Sequence, residues 1–390
     1  MSNRHSRIIT PHERGVYVEN AEWIDGVHPR EGKRGGEHNH LHPSLKYPEA
    51  SDREAESPGY KGNRKLYVVT CVSNPLRTKS RTDLYKKFAQ KVEDAGAILY
   101  TVEMAFGDRP HVLTDVRNPR HLQLRSYFEL WHKENMLNLL IQKLPEDWEY
   151  VAWIDADVAF LRDDWVNETI EQLQHYMVLQ MFSYAQDLSL RHEPMQMHSG
   201  FVHDWYHGKV TFNSAGNGSK KKGKKAGYNG YGGYGFDEGH PGYAWAARRE
   251  ALDALGGLID FAILGSADRH MACALIGEAD KSYHPDVHPK YKEQVLEWQD
   301  RADRYIKHDV GYMAGTIVHG YHGKKSNRGY NSRWQILVKH QYDPTVDAYK
   351  DSKGLVQLWT EDIKLRDDLR KYFRSRHEDD TGSDANKMLP

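Results

Sequence analysis

Tyr150-Val-Ala-Trp-Ile-Asp-Ala-Asp-Val-Ala-Phe160 decides how this chain is read. It is an apolar run with the composition of a buried strand, and it carries two carboxylates, Asp155 and Asp157. In an extended chain residues i and i+2 point to the same face, so the two side chains are expected side by side. Paired carboxylates repel unless a cation lies between them. Mg²⁺ and Mn²⁺, which prefer oxygen ligands and commonly hold the phosphates of a second ligand, meet that need. Ligands of open α/β sheets bind at the carboxyl ends of the strands. The two aspartates fall at the expected end of this strand, before the turn Leu161-Arg-Asp-Asp164. The plainer alternative is a strand end whose carboxylates cap the next helix, as Asp163 or Asp164 is expected to do.

The flanking segments alternate strand and helix. Leu66-Tyr-Val-Val-Thr70 is β-rich, and Ser73-Asn-Pro75 interrupts it. Leu84, Phe88 and Val92 recur at helical spacing, Gly96 ends that helix, and Ile98–Val102 is the next strand, a β-α-β start. The first β-α turn has neither Gly-x-Gly-x-x-Gly nor Gly-x-x-x-x-Gly-Lys, which argues against a dinucleotide or P-loop site. Thr70, Asn74 and Arg77, after the first strand, are expected to face a nucleotide. A helix from Tyr127 to Gln142 leads into the aspartate strand; its Lys133 reads either as a solvated charge or as a donor-binding group. A helix over Asp164–His175 and a strand over Met177–Phe182 follow.

Residues 214–239 cannot pack a core. They combine Lys220, Lys221, Lys222, Lys224 and Lys225 with Tyr228, Tyr231 and Tyr234 in a glycine-rich background. Lysines neutralise phosphates and tyrosines stack on bases or sugars, so the segment reads as an acceptor-binding loop or as an insertion that only solubilises. Next come a strand with Tyr243 and Trp245, expected beside the acceptor, and a helix over Arg248–Leu255 stopped by Gly256-Gly257. Ser266 then reads as an N-cap that sets Asp268 in a first helical turn, where the helix dipole favours a carboxylate. Further on, Thr316-Ile-Val-His-Gly-Tyr-His-Gly-Lys-Lys-Ser-Asn-Arg-Gly-Tyr330 delivers His319, His322, Lys324, Lys325 and Arg328 into one loop. The histidines suit a metal and the cations a diphosphate, although an isolated histidine is more often structural.

The chain has 390 residues, a formal net charge of -1 and 39% hydrophobic residues with 10 Trp and 24 Tyr, so overall charge selects no partner. Cys71 and Cys273 are too few for a disulfide framework. No apolar stretch reaches membrane-spanning length, and Met1-Ser-Asn-Arg-His-Ser-Arg7 lacks a signal peptide's apolar core. The expectation is a cytoplasmic protein. Residues 1–62 read as an extended polar arm, 63–345 as the folded domain and 346–390 as a C-terminal helix and tail. The cluster Glu37-His-Asn-His-Leu-His42 in the arm is read as solvated rather than as a metal site.

Four motifs in order resemble the GT-A glycosyltransferases, most of all the β-1,4-galactosyltransferase type and uncharacterised phage and bacterial glycosyltransferases. They are Lys133–Asn138, Ile154-Asp-Ala-Asp157, Gly242–Arg248 leading to Leu264-Gly-Ser-Ala-Asp268, and His319-Gly-Tyr-His322. The resemblance spans roughly residues 64–340. It implies an α/β, Rossmann-like, mostly parallel central sheet flanked by helices, and transfer of a sugar from a nucleotide-diphosphate sugar with Mn²⁺ or Mg²⁺. It implies Asp155, Asp157, His319 and His322 at the metal, Asp155 also toward the donor, and Asp268 as the base of an inverting displacement. Where the family has a Glu-Asp pair this chain has Ala267-Asp268, so the base rests on Asp268 alone. The family's membrane anchor and secretory setting are not expected here. A modified base in phage DNA, met in the host cytoplasm, is one acceptor; a cytosolic glycan or glycolipid precursor is another. A non-catalytic sugar- or nucleic-acid-binding protein on the same fold is the opposing reading.

Overall fold

Leu66–Ser73 (β1), a run of β-branched and apolar residues without Gly, Pro or charge, is an interior strand of a seven-stranded sheet. The computed structural model describes residues 64–212, 239–321, 323, 325–329, 332–359 and 362–376, with the side chains of Lys325 and Ser326 left aside. The N-terminal arm, the Lys220–Lys225 and Tyr228/Tyr231/Tyr234 segment, His322 and Lys324 lie outside the described residues.

Helix α1 (Lys79–Asp94) connects β1 to the parallel strand β2 (Ile98–Phe106). Its buried residues Tyr85, Phe88 and Val92, three and four apart, face the sheet, and Gly96 at φ 86° turns the chain out of it. Strand β3 (His121–Ser126) then pairs parallel with β2, in a stretch whose sequence lacks a clear strand signal.

The helix expected from Tyr127 begins only at Lys133: α2 covers Lys133–Ile141. Partners distant in sequence occupy the preceding groups. Trp131 N–H donates to Ile263 O at 2.8 Å, and the His132 ring bonds Val356 O at 3.0 Å. Long-range hydrogen bonds here override the helical spacing.

Strand β4 (Tyr150–Ile154) follows, with Val151 and Trp153 in the core on one side of the sheet and Ala152 and Ile154 in the core on the other. It stops at Ile154. Asp155 and Asp157 therefore sit on the turn to β5 (Val158–Phe160), so strand alternation is not what brings them together. After α3 (Trp165–Gln172) come β6 (Val178–Gln180), the hairpin β7 (Tyr184–Leu188) and β8 (Pro194–Ser199), and α4 (Phe201–Tyr206). Asp164 stands at the N-cap position of α3 without a capping bond and pairs with Arg162 instead.

The remaining elements are β9 (Ala244–Arg248), α5 (Arg249–Leu255), α6 (Ala267–Ala274), α7 (Pro289–Arg301), β10 (Val310–Tyr312), β11 (Thr316–His319), α8 (Trp334–His340), the hairpin β12 (Ala348–Lys350) and β13 (Val356–Leu358), and α9 (Ile363–Arg374). The large sheet runs β3-β2-β1-β4-β9-β6-β10; β9 is antiparallel to both neighbours and every other pair is parallel. This mostly parallel sheet flanked by helices is the expected fold class. A second sheet runs β5-β11-β7-β8, and its register sets His319 opposite Val158 on one side and Asp187 on the other. α9 buries Leu365, Leu369, Tyr372 and Phe373 in the main core. No helix among the described residues is long and apolar enough to cross a membrane.

Candidate active site

A cleft of about 1780 Å³, counting its open mouth, lies where β1 and β4 end. Asn74, Lys133, Asp155, Asp157, Tyr243, Asp268, His319 and Arg328 line it, together with residues from α8 and α9.

The β4–β5 turn puts the two aspartates on different partners. Asp155 N–H donates to Tyr243 O at 2.8 Å, and its carboxylate pairs with the ammonium of Lys133 at the start of α2. Burial alone would lower the Lys133 ammonium; Asp155, Glu134 and Asp268 outweigh that and raise it, so it stays a cation. Asp157 Oδ1 lies 3.6 Å from His319 Nε2, and Gly320 N–H donates to Asp157 O at 2.8 Å. Next to Lys133, the buried Glu134 carboxyl is pushed up to about 7, first by burial and further by Asp268 against the opposing pull of Lys133. It accepts from Trp131 Nε1 at 3.1 Å.

On the other wall, Gly242 lets the chain pass Asp268. A Cβ there would stand 2.8 Å from Asp268 Oδ2 and 3.0 Å from the His240 ring, so no other residue fits without displacing them. Asp268 is in the first turn of α6, as its sequence context suggests, with Oδ1 accepting from Arg269 N–H at 2.8 Å. Ser266 occupies the N-cap position at φ 79° but makes no capping bond; its Oγ accepts from Arg333 at 2.5 Å. Trp131, Arg333, Trp334, Tyr372, Phe373 and Arg376 complete this side. The Arg376 guanidinium lies 5.3 Å from the Trp131 ring centre.

Several expected positions are placed otherwise. Thr70 is wholly buried and donates to Ile154 O at 2.8 Å, so it ties β1 to β4 and does not face a nucleotide. Arg77 is exposed in the turn after β1, at φ 57°, outside the cleft lining. Asn74 reaches the cleft, yet its amide bonds Thr78 N and O at 2.9 and 2.8 Å and shapes the start of α1. Trp245 is buried in the main core, outside the cleft lining, and donates to Pro241 O at 2.8 Å. Tyr243 lines the cleft, but its ring stacks on His240 with centres 3.7 Å apart and its hydroxyl donates to Asp187 Oδ1 at 3.1 Å. Both its ring and its hydroxyl are thus engaged within the protein. Arg328 lines the cleft, and its carbonyl accepts from the Tyr372 hydroxyl at 3.0 Å.

Sequence reading missed Asp187, Trp131, Arg333 and Arg376. Asp187 carried a faint signal, a carboxylate in the otherwise uncharged run Tyr184–Leu188. The others belong to no motif.

Ligand atoms sharing one divalent ion at about 2.1 Å stand roughly 3 to 4 Å apart. The 3.6 Å between Asp157 Oδ1 and His319 Nε2 fits that geometry. Among the described residues no group of three or more His, Cys, Asp or Glu is arranged to hold an ion alone. Two protein ligands with the remaining positions left to phosphate and water is the common arrangement for Mg²⁺ and Mn²⁺.

No protein-family model and no curated protein matches the sequence. Similar solved structures include a mutant of Drosophila β-1,4-galactosyltransferase 7 in complex with manganese, UDP-Gal and xylobiose, at 9% identity and TM-score 0.34 over 78% of this chain and 98% of that one. Glucosyl-3-phosphoglycerate synthase from Mycobacterium tuberculosis, in complex with Mn²⁺, UDP and phosphoglyceric acid, is similar at 11% identity and TM-score 0.31 over 77% and 88%. A 4-diphosphocytidyl-2C-methyl-D-erythritol synthase from Anaerococcus prevotii is similar at 9% identity and TM-score 0.27 over 65% and 89%. Scores this low carry no inference about activity, which rests on the cleft itself.

Proposed function

We propose that this chain is a metal-dependent glycosyltransferase that moves a sugar from a nucleotide-diphosphate sugar to an acceptor hydroxyl with inversion. One observation carries the reading. At the open end of a mostly parallel sheet, Asp157 and His319 converge at 3.6 Å, with the Lys133–Asp155 pair beside them and Asp268 lining the same cleft.

Asp157 and His319 would hold Mn²⁺ or Mg²⁺, with Asp155 less directly involved; the ion, when bound, supplies positive charge to the departing diphosphate. Lys133 adds a fixed cation beside it, and Lys324, Lys325 and Arg328 bring further positive charge from the loop after β11. In the transfer the acceptor oxygen attacks the anomeric carbon and its proton passes to Asp268. The bond from that carbon to the diphosphate oxygen breaks, and its electron pair leaves with the diphosphate. Attack opposite the leaving group inverts the anomeric configuration.

A screen of nucleotide sugars with Mn²⁺, following release of nucleoside diphosphate, tests the reading. Release that stops with EDTA and returns with Mn²⁺ is expected. Release at an unchanged rate in EDTA would overturn the metal assignment, and no release from any donor would leave a binding protein on this fold.

The acceptor reading is a modified base in phage DNA, supported by the five lysines of Lys220–Lys225 and the tyrosines that follow. Each phosphate neutralised steepens the fall of log affinity by about 0.9 per log unit of salt. Deleting 216–235 should flatten that slope and spare donor hydrolysis; equal slopes for wild type and deletion would remove the loop's role, and no salt slope in the wild type would remove DNA as the acceptor.

A further inference from the structure

The second sheet places a carboxylate behind the metal-side histidine. β11 lies between β5 and β7, and the parallel register sets His319 beside Asp187. Neighbouring side chains on one sheet face are close enough to bond. Asp187 Oδ1 stands 2.9 Å from His319 Nδ1, and the Asp187 side chain is buried. Asp187 is itself held from two further directions. His198 Nε2 is 2.7 Å from its Oδ2, and the Tyr243 hydroxyl donates to Oδ1 at 3.1 Å. Tyr243 is fixed in turn by its stack on His240, whose Nδ1 accepts from Gly242 N–H at 3.0 Å.

A carboxylate accepts hydrogen bonds and, when ionised, cannot donate them. His319 therefore carries a proton on Nδ1, and its Nε2 faces Asp157. We propose that Asp187 is a positioning residue: it fixes the tautomer and ring orientation of His319, so that Nε2 meets a divalent cation together with Asp157. Such a partner on the far nitrogen of a ligating histidine commonly changes metal affinity 10- to 100-fold. The inference rests on the metal reading given above, but its first consequence is a property of the metal-free protein.

Two measurements separate them. Nitrogen-15 NMR of the metal-free protein should show His319 protonated at Nδ1. A His319 without a proton on Nδ1 would overturn the role of Asp187 whatever the metal does. Mn²⁺ binding, followed by the loss of the free-ion EPR signal with and without UDP, should weaken about 10- to 100-fold in Asp187→Asn. In a His319→Ala background the same substitution should change Mn²⁺ affinity little, because Asp187 acts through His319. An equal loss in both backgrounds would mean that Asp187 only supports the fold or binds the ion directly, and would overturn the inference. The milder Tyr243→Phe, which removes one donor to Asp187, should weaken Mn²⁺ binding less than Asp187→Asn; no change in either variant would overturn the inference even where the wild type binds Mn²⁺. A wild type that binds no Mn²⁺ in either condition would overturn the metal reading and this one with it, though the NMR result would still report the tautomer.

Discussion

The two walls of the cleft are built by different means. On the side of Asp157 and His319, one turn and one small sheet supply the groups, and strand register aligns them. On the side of Trp131, Arg333 and Arg376, each group comes from a different part of the chain, and packing alone brings them together. The first wall is suited to holding charge in fixed geometry. The second is suited to a broader contact that aromatic and guanidinium surfaces make with a large molecule. The difference teaches that, under the proposed transferase reading, donor chemistry belongs to the first wall and acceptor choice to the second, so that each is open to separate alteration.

Removing the metal side should have the largest effect. Asp157→Ala, or EDTA on the wild type, should abolish hydrolysis of the donor by water. A loss of about 4 kcal/mol in transition-state stabilisation is about 10³-fold in rate. Persisting hydrolysis in Asp157→Ala would show that this wall does not carry the chemistry.

Asp268→Asn comes next, since a positioned base contributes about 10² to 10⁴-fold. Donor and Mn²⁺ affinities should be retained while turnover falls. Full activity in Asp268→Asn would return this carboxylate to the role of a first-turn helix stabiliser.

A smaller effect, on stability, tests the boundary between the walls. Glu134 is raised from an ordinary 4.5 to about 7 in the folded state, so the native protein binds its proton more tightly than the unfolded chain does. The resulting stabilisation is complete below about pH 4.5 and is lost as pH rises through about 7, with an upper size on the order of 3 kcal/mol. Glu134→Gln should flatten the dependence of melting temperature on pH in that window. An unchanged dependence would place the titration elsewhere.

The smallest effect is the most informative for the comparison. Arg376→Ala should leave donor hydrolysis by water unchanged and weaken only interactions with the acceptor. Loss of hydrolysis in Arg376→Ala would join the two walls into one functional unit.

Much of the Asp157–His319 wall was legible because local signals were strong. Two carboxylates ending an apolar run, a β-branched strand ending in histidine, and Gly242 followed by a strand are all visible over a few residues. Side-chain direction was not. Thr70 and Trp245 lie in the right segments, but the pleat turns them into the interior, where each hydrogen-bonds a carbonyl. Asp187 was hidden because its importance comes from the register of β7 against β11, a pairing of residues 132 apart in the chain. The helix expected from Tyr127 failed because bonds to Ile263 and Val356 claim Trp131 and His132. Such competition between local spacing and distant partners leaves no trace in a short window of sequence.

The place of α9 bears on how the protein is made. Tyr372, Phe373 and Arg376 line the cleft, and Leu365 and Leu369 anchor their helix in the main core. A ribosome that has translated every motif up to His319 has still not delivered this wall. The nascent chain would carry the Asp157–His319 side before the opposite wall exists, so the cleft is complete only once α9 has emerged and docked.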